Sequence, residues 1–321
     1  MKRYAALIVL NVLLFIWIGA GFSGKKEQMS TPYRFTFVCP LTWDNVARGM
    51  GQADQELGTN TKCMGAKNLN TEKEARQLEK AMLSDVDGII TAGTGDLEKI
   101  REKIREASLQ GIPVVLVDSD LPDTQRIGYI GTNHYEAGVL AGEEMLRALK
   151  GEKGNIGVIV SSLEDPNQKE RVQGFEDAIA GTGGVEIAQV LECDSDKMKI
   201  RKLVGPMLEE NPRINALYCA DELPAEMLGD ILIQEHSSMP VVVFGMSEQI
   251  YRYLREGKYQ ASIVEKSYEQ GYQVVQYLKD YLSGRTGGQD TIYTQVEAAG
   301  PEFDFEAWEE NQGDREVVWY Y

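Results

Sequence analysis

From Tyr33 onward the chain alternates short apolar runs with amphipathic helical segments, and after about residue 131 the alternation begins again. Runs at 33–40, 62–67, 86–93 and 113–120 read as strands, with helices at 45–58, 71–84 and 96–111 between them. The second set has strands at 155–162, 185–194, 214–221, 239–247, 260–267 and 291–298. Its helices fall at 134–151, 169–181, 197–212, 224–234, 248–257 and 270–284. The strand runs are apolar at nearly every position rather than at alternate ones. Such strands are covered on both faces, as in a parallel sheet flanked by helices. The expected fold is α/β, with two doubly wound, Rossmann-like lobes on parallel sheets. A single eightfold barrel fits poorly, because more than eight strands are readable and the restart divides the chain.

The chain has 321 residues, 43% hydrophobic and 26% charged, which suits a globular protein of two ordinary domains. Its 33 basic and 50 acidic residues give a net charge of −17. No Lys/Arg cluster of the size a duplex requires is present, so nucleic acid is not an expected partner. The first 32 residues differ from the rest. Lys2 and Arg3 precede an uncharged stretch at 4–24, which Lys25 and Lys26 close. A basic head and a long apolar run predict export to the extracytoplasmic face of a bacterial membrane. A run of this length also spans a bilayer as a helix, so a signal peptide and an uncleaved membrane anchor both fit, and the length favours the anchor. The stretch GAGF at 19–22 resembles a lipoprotein processing box, but Phe22 stands where the lipidated cysteine belongs. The four cysteines, Cys39, Cys63, Cys193 and Cys219, form no CxxC pair. They read as small core residues in strands, and Cys39–Cys63 is the pair best placed for a bridge.

Open α/β sheets bind ligands beyond the carboxyl ends of their strands. The positions so placed are 40–43, 92–96, Asp118, Asp194, Asp221 and 245–247. The apolar run 112–117 ends in Asp118, Asp120 and Asp123. A buried strand would deliver Asp118 to the cleft mouth while Asp120 and Asp123 shape the exit turn. Catalytic signatures are missing. The two histidines, His134 and His236, form no HExxH, and neither GxSxG nor triad spacing is present. The glycines at 92–95 are not followed by the GKS or GKT of a phosphate loop. These observations predict a binding protein rather than an enzyme, with no metal and no cofactor.

The stretch GIPVVLVDSDLPDTQRIGYIGTNHYEAGVLAGEEM (111–145) resembles the first-lobe signature of the ribose-type periplasmic sugar-binding proteins, the type I substrate-binding components of ABC importers. The likeness continues through QKERVQGFEDAI (168–179), INALYCADE (214–222) and VVVFGMSEQIYRYLREGKYQASIVE (241–265). The resemblance implies an interlobe sugar site. Trp43 stands where an aromatic ring packs on the sugar's apolar face, and a core tryptophan is the competing reading. Asp118 matches the first-lobe acid, an acceptor for hydroxyl groups. Ser119 stands where arginine is common. Arg171 matches the second-lobe arginine, whose planar fork donates to two ligand oxygens. Asp221 stands where asparagine is common, Glu265 where glutamine is common, and Gly245 where aspartate is common. Pro40 and Leu41 replace the usual asparagine ahead of the aromatic. A site holding Asp118, Asp221 and Glu265 against Arg171 is more acidic than an aldopentose needs, so amino sugars and other cationic or polyhydroxyl ligands stay open.

The resemblance also implies a three-segment hinge at Thr132 and Asn133, at Val264, and at Gln295. It divides the chain into a first lobe of 33–131 and 266–293 and a second lobe of 132–265 and 294–300, with a signal or anchor plus linker at 1–32. A ligand bound between the lobes would favour their closed arrangement. The implied partners are a sugar or polyol and either an ABC permease or a membrane sensor such as a histidine kinase or chemoreceptor, with the membrane reached through the N-terminal segment. A DNA-binding repressor on this fold would need a helix-turn-helix where 1–32 is apolar. The tail at 301–321 lies outside the likeness, and its aromatics fit either packing on a lobe or a partner contact.

Overall fold

The computed structural model describes residues 32–39, 43–65, 71–235, 238–313 and 317–320. The N-terminal segment, Pro40, Leu41 and His236 lie outside them. Tyr33–Tyr321 forms one compact unit. The first sheet contains β1 (Arg34–Cys39), β2 (Asn60–Gly65), β3 (Gly88–Thr91), β4 (Val114–Asp118), β5 (Gly128–Thr132), β11 (Asp290–Thr294) and β13 (Trp319–Tyr320). Its order is β11-β5-β4-β3-β1-β2-β13, and every pairing is parallel. The second sheet contains β6 (Gly154–Val160), β7 (Val185–Glu192), β8 (Ala216–Cys219), β9 (Val241–Phe244), β10 (Ala261–Glu265) and β12 (Val296–Ala299), in the order β12-β10-β9-β8-β6-β7. It is parallel except at β10–β12, which is antiparallel.

Helices cover both faces of each sheet. They are α1 (Asp44–Leu57), α2 (Thr71–Met82), α3 (Leu97–Leu109), α4 (His134–Leu149), α5 (Pro166–Ile179), α6 (Lys197–Glu210), α7 (Glu222–Gln234), α8 (Glu248–Arg255), α9 (Ser267–Leu282) and α10 (Phe305–Glu310). Strand β4 shows why the apolar runs are continuous. Val115 and Val117 enter one core cluster, while Val114 and Leu116 enter another on the opposite face. A strand places successive side chains on opposite faces, so a sheet covered on both sides needs every position apolar.

Three neighbouring crossings carry the chain between the sheets, after β5, after β10, and between β11 and β12, and the tail then makes a fourth, from β12 back to β13. The stretch 291–298, read from sequence as one strand, is therefore two. Gln295 separates them, one strand to each sheet. Periodicity cannot see this division, because both halves carry strand-forming residues. Strand β5 was also unmarked by its sequence, GYIGT. Its glycines are packing sites: a Cβ on Gly128 would lie 2.4 Å from Cε1 of Tyr277.

All four cysteines are buried. The reading as core residues holds, and the Cys39–Cys63 bridge that competed with it is not made. On the paired strands Phe37 stands opposite Cys63 and Cys39 opposite Gly65, so the two thiols are two positions out of register. Burial, with Asp54 and Asp44 nearby, pushes the Cys63 thiol up to about 12 and leaves it unreactive.

The described residues of the tail pack against both sheets. Phe305 stacks on Tyr251 at 4.6 Å between ring centroids, in the core cluster of the second sheet. Arg48 of α1 then donates to the Gly313 carbonyl at 3.2 Å. Strand β13 closes the β2 edge of the first sheet, where Trp319 packs 6.0 Å from Phe37 and its Nε1–H donates to Asp44 at 2.8 Å. The tail thus covers an edge that would otherwise present unpaired backbone groups. Trp319→Ala is expected to lower the unfolding free energy by about 2 kcal/mol, less than a fully buried tryptophan because the ring is half-exposed. Urea unfolding would check this, and a change below about 0.5 kcal/mol would mean the tail only rests on the surface.

Candidate ligand-binding cleft

Asp118 ends β4 with a φ of 66°, in the left-handed region. The Ser119 N–H reaches back to the Val117 carbonyl at 2.8 Å, closing a γ-turn of the rarer, strained hand. Aspartate tolerates this backbone better than most residues. Two donors hold the turn from outside: the Tyr129 hydroxyl and the ring of His134 both bond the Asp118 carbonyl, at 2.5 and 2.9 Å. A carbonyl only accepts, so His134 carries its proton on Nε2, and its Nδ1 accepts from the Arg171 guanidinium at 3.3 Å. Burial, with Arg171 adjacent, keeps the His134 pKa well below its ordinary value and the ring neutral.

Arg171 is 2% exposed rather than solvated on its helix face. Its Nη1 donates to the Ala220 carbonyl at 2.8 Å, and its guanidinium carbon lies 3.4 Å from the centroid of the Phe244 ring. A relay thus runs from Asp118 at the end of β4, through His134 at the start of α4, to Arg171 and the end of β8. It joins the carboxyl edge of one sheet to that of the other. Asp120 and Arg126 form an ion pair at 2.5 Å in the loop after β4.

The remaining expected site residues divide by what they touch. Ser119 is buried and donates to the Asp118 carboxylate at 2.8 Å. Trp43 stands at the N-terminus of α1, half-buried, 6.3 Å from Phe37 and packed against the first-lobe core, so it has both a buried and an open face. Asp221 is the N-cap of α7, accepting from the Glu222 N–H at 3.0 Å, and it also takes the Ser161 hydroxyl. These contacts fix the orientation of the carboxylate that sequence reading assigned to ligand. Gly245 follows β9 with a φ of 94°. Glu265 accepts from Thr132 Oγ1 at 2.8 Å and from Ser267 Oγ at 3.1 Å.

The crossings are tied together by a residue that sequence reading missed. Gln270, fully buried on α9, donates through Nε2 to Thr132 Oγ1 and to Thr294 Oγ1, each at 3.0 Å. Thr132 in turn donates to Glu265, so one amide links all three crossings. Asn133 caps α4 by accepting from Glu136 N–H at 3.2 Å. Val264 is buried opposite Glu297, and Gln295 is exposed between β11 and β12. His134, Gln270 and Glu222 carried no motif. The only signal for His134 was its place directly after the first crossing.

The strand ends on this side of the sheets are acidic. Burial first, and Glu265 second, raise Asp118 to about 7, against the opposing pull of Arg171 and Ser119. Burial, with Asp221 nearby, raises Asp165 to about 6, and burial raises Glu222 to about 8. In the first lobe Glu74 rises to about 8 by burial alone, and both its oxygens lack a hydrogen-bond partner among the described residues. Each group holds its proton more tightly folded than unfolded. The folded state therefore binds more protons between about pH 4 and 8, and stability falls as pH rises through that window. The ligand-free protein is expected to melt higher at about pH 5 than at about pH 8, with a flatter profile in Asp118→Asn/Glu222→Gln. A melting temperature that climbs over that span would contradict the assignment.

Residues 40–286 match the model of the periplasmic binding protein domain. The chain belongs to the periplasmic binding protein family. Among curated members, periplasmic protein TorT of Escherichia coli K12 is 24% identical over 251 residues, 76% of this chain and 70% of TorT. Among solved members, GanP, a glucose-galactose binding protein from Geobacillus stearothermophilus, superposes with a TM-score of 0.80 at 30% identity, covering 85% of this chain and 99% of GanP. The XylFII-LytSN complex gives a TM-score of 0.76 at 27% identity, covering 85% of this chain and 98% of the matched one. The periplasmic binding protein fold, in its two-lobed sugar-binding form, accounts for the paired sheets and three crossings described above.

Proposed function

We propose that this chain is an extracytoplasmic receptor that captures a sugar between its lobes, closes on it by motion at the three crossings, and presents it to an ABC importer. The observation that carries the reading is the relay Asp118–His134–Arg171–Ala220, which brings chemistry from both sheet edges to one place. In this reading Trp43 stacks on the sugar ring, Asp118 and Glu265 accept from hydroxyl groups, and Arg171 holds the second-lobe wall. The similarity to GanP, a glucose-galactose binder, supports a hexose over other solutes. Closure would exclude water and strengthen each polar contact.

A second reading, in which the closed receptor signals to a membrane sensor, draws support from the similarity to the XylFII-LytSN complex. An uncleaved N-terminal anchor suits that role.

The test is a thermal-shift screen against hexoses, pentoses, amino sugars and polyols, followed by titration calorimetry. A binder is expected to raise the melting temperature with concentration. Asp118→Ala and Trp43→Ala are each expected to weaken its binding about tenfold or more. A panel with no hit would sink the sugar reading.

A further inference from the structure

We propose, building on the reading of lobe closure above, that the tail is a strap: it bridges the two lobes and holds the angle between them, in addition to the three neighbouring crossings. Its first anchor lies in the second lobe. Phe305 is buried, stacks on Tyr251 at 4.6 Å and lies 5.4 Å from the Trp308 ring, and Phe303 and Trp308 pack on the same core cluster. Its second anchor lies in the first lobe. Arg48 donates to the Gly313 carbonyl at 3.2 Å, and Gly313 rests beside the Tyr268 ring, so that a Cβ there would lie 3.2 Å from Cε2. Gly313 is five positions beyond Trp308. The link between them is folded rather than slack, because Gln312, itself buried, donates to the Trp308 carbonyl at 3.1 Å.

The placement of the anchors gives the link its purchase. Tyr251 stands in the first turn of α8 and Arg48 in the second turn of α1, and these helices follow the carboxyl ends of β9 and β1. The tail therefore crosses at the level of the strand ends that the relay joins. Its far end is fixed as well. Strand β13 pairs with β2 at the edge of the first sheet opposite β11, the strand that leads into the third crossing. With neighbouring strands about 4.8 Å apart, those two edges are separated by about 29 Å. A lobe that turns about the three crossings must break one anchor or unfold the link, so the strap favours the arrangement in which both anchors are made. Such a link acts only while both of its ends hold.

The experiment measures lobe separation in the full chain by double electron–electron resonance, with nitroxides on Glu102→Cys and Glu176→Cys, exposed positions on α3 and α5. The native cysteines are buried, which leaves the introduced pair for labelling. Without sugar, the otherwise wild-type protein is expected to show one dominant distance, with any second below about 10%. Arg48→Met releases the first-lobe anchor and Phe305→Ala the second-lobe anchor. Each is expected to raise the second population several-fold, and the double variant no further than either alone, because one broken anchor already frees the strap. Trp308→Ala, which removes the half-buried ring beside Phe305, replaces Phe305→Ala if circular dichroism shows that variant unfolded. Unchanged distances in the single variants, or changes that add in the double one, would overturn the strap and mean that the tail only packs on each lobe. D-glucose and D-galactose test the underlying reading separately. If neither sugar shifts the populations in wild type or in Arg48→Met, while Arg48→Met alone shifts them without sugar, closure on these sugars fails and the strap stands.

Discussion

Arg171→Ala is expected to cost about 3–5 kcal/mol of unfolding free energy and to abolish sugar binding. The guanidinium is buried, and three contacts end with it. The Ala220 carbonyl loses its 2.8 Å donor, His134 Nδ1 loses its donor at 3.3 Å, and the Phe244 ring loses the cation lying on its face at 3.4 Å. A buried acceptor left without a partner costs about 1–3 kcal/mol, and two are orphaned at once. Arg171 also opposes the raised carboxyls of Asp118 and Asp165, so both rise further in its absence. Arg171→Met, which restores apolar volume without the donors, separates packing from hydrogen bonding. If Met recovered nearly all the stability, the relay would be mainly a packing device. Guanidinium unfolding of the three proteins, with calorimetry against the sugar found for wild type, decides between these outcomes.

The second large effect concerns helix contact. Gly271 on α9 faces α1 so closely that an added Cβ would lie 1.9 Å from the Val46 carbonyl oxygen. Gly49 on α1 returns the contact, with a Cβ 1.9 Å from the Tyr268 carbonyl oxygen. The second lobe repeats the device. Gly138 on α4 and Gly174 on α5 would meet the carbonyl oxygens of Arg171 and Tyr135 at 2.1 and 2.0 Å. The obstructing atoms are backbone, so no side-chain rotation relieves them. Gly271→Ala is expected to cost about 3 kcal/mol or more, despite alanine's better helix propensity of about 1 kcal/mol. The same change also bears on Gln270, the adjacent residue that ties the crossings. A loss of stability should therefore come with altered sugar affinity. Gly58→Ala at the exposed end of α1, where a Cβ meets nothing within 4 Å, serves as contrast; its φ of 67° makes its cost one of backbone strain. Thermal unfolding that ranked Gly271→Ala as the milder of the two would refute the close-contact argument.

Much of the architecture was legible because burial on two faces forces a pattern onto the chain. The continuous apolar runs of β4, β8 and β9 could be nothing but doubly covered strands, and the restart after residue 131 marked the second lobe. Helix ends were legible where local chemistry sets them, as at Asn133, Asp196 and Ser247, each of which caps its helix with its side chain. Asp118 could be placed at the carboxyl end of its strand because the apolar run stops there. Its positive φ could not, since that comes from Tyr129 and His134 holding its carbonyl.

Other features depend on partners distant in sequence, and no local pattern encodes those. Strand 291–298 divides at Gln295 because its halves find different sheets. The tail was indeterminate until Trp319 met Phe37 and Asp44, 282 and 275 positions away in the chain. Sequence alone set the residue types at the strand ends: an acid at 118, an arginine at 171, a glycine at 245. Tertiary structure decided their states. It buried Arg171, occupied Asp221 with a helix cap, and filled the space beside Gly245 with Glu222. The physical reason is that residue type fixes what a group can donate, accept or carry, whereas burial and neighbours fix which of those it does.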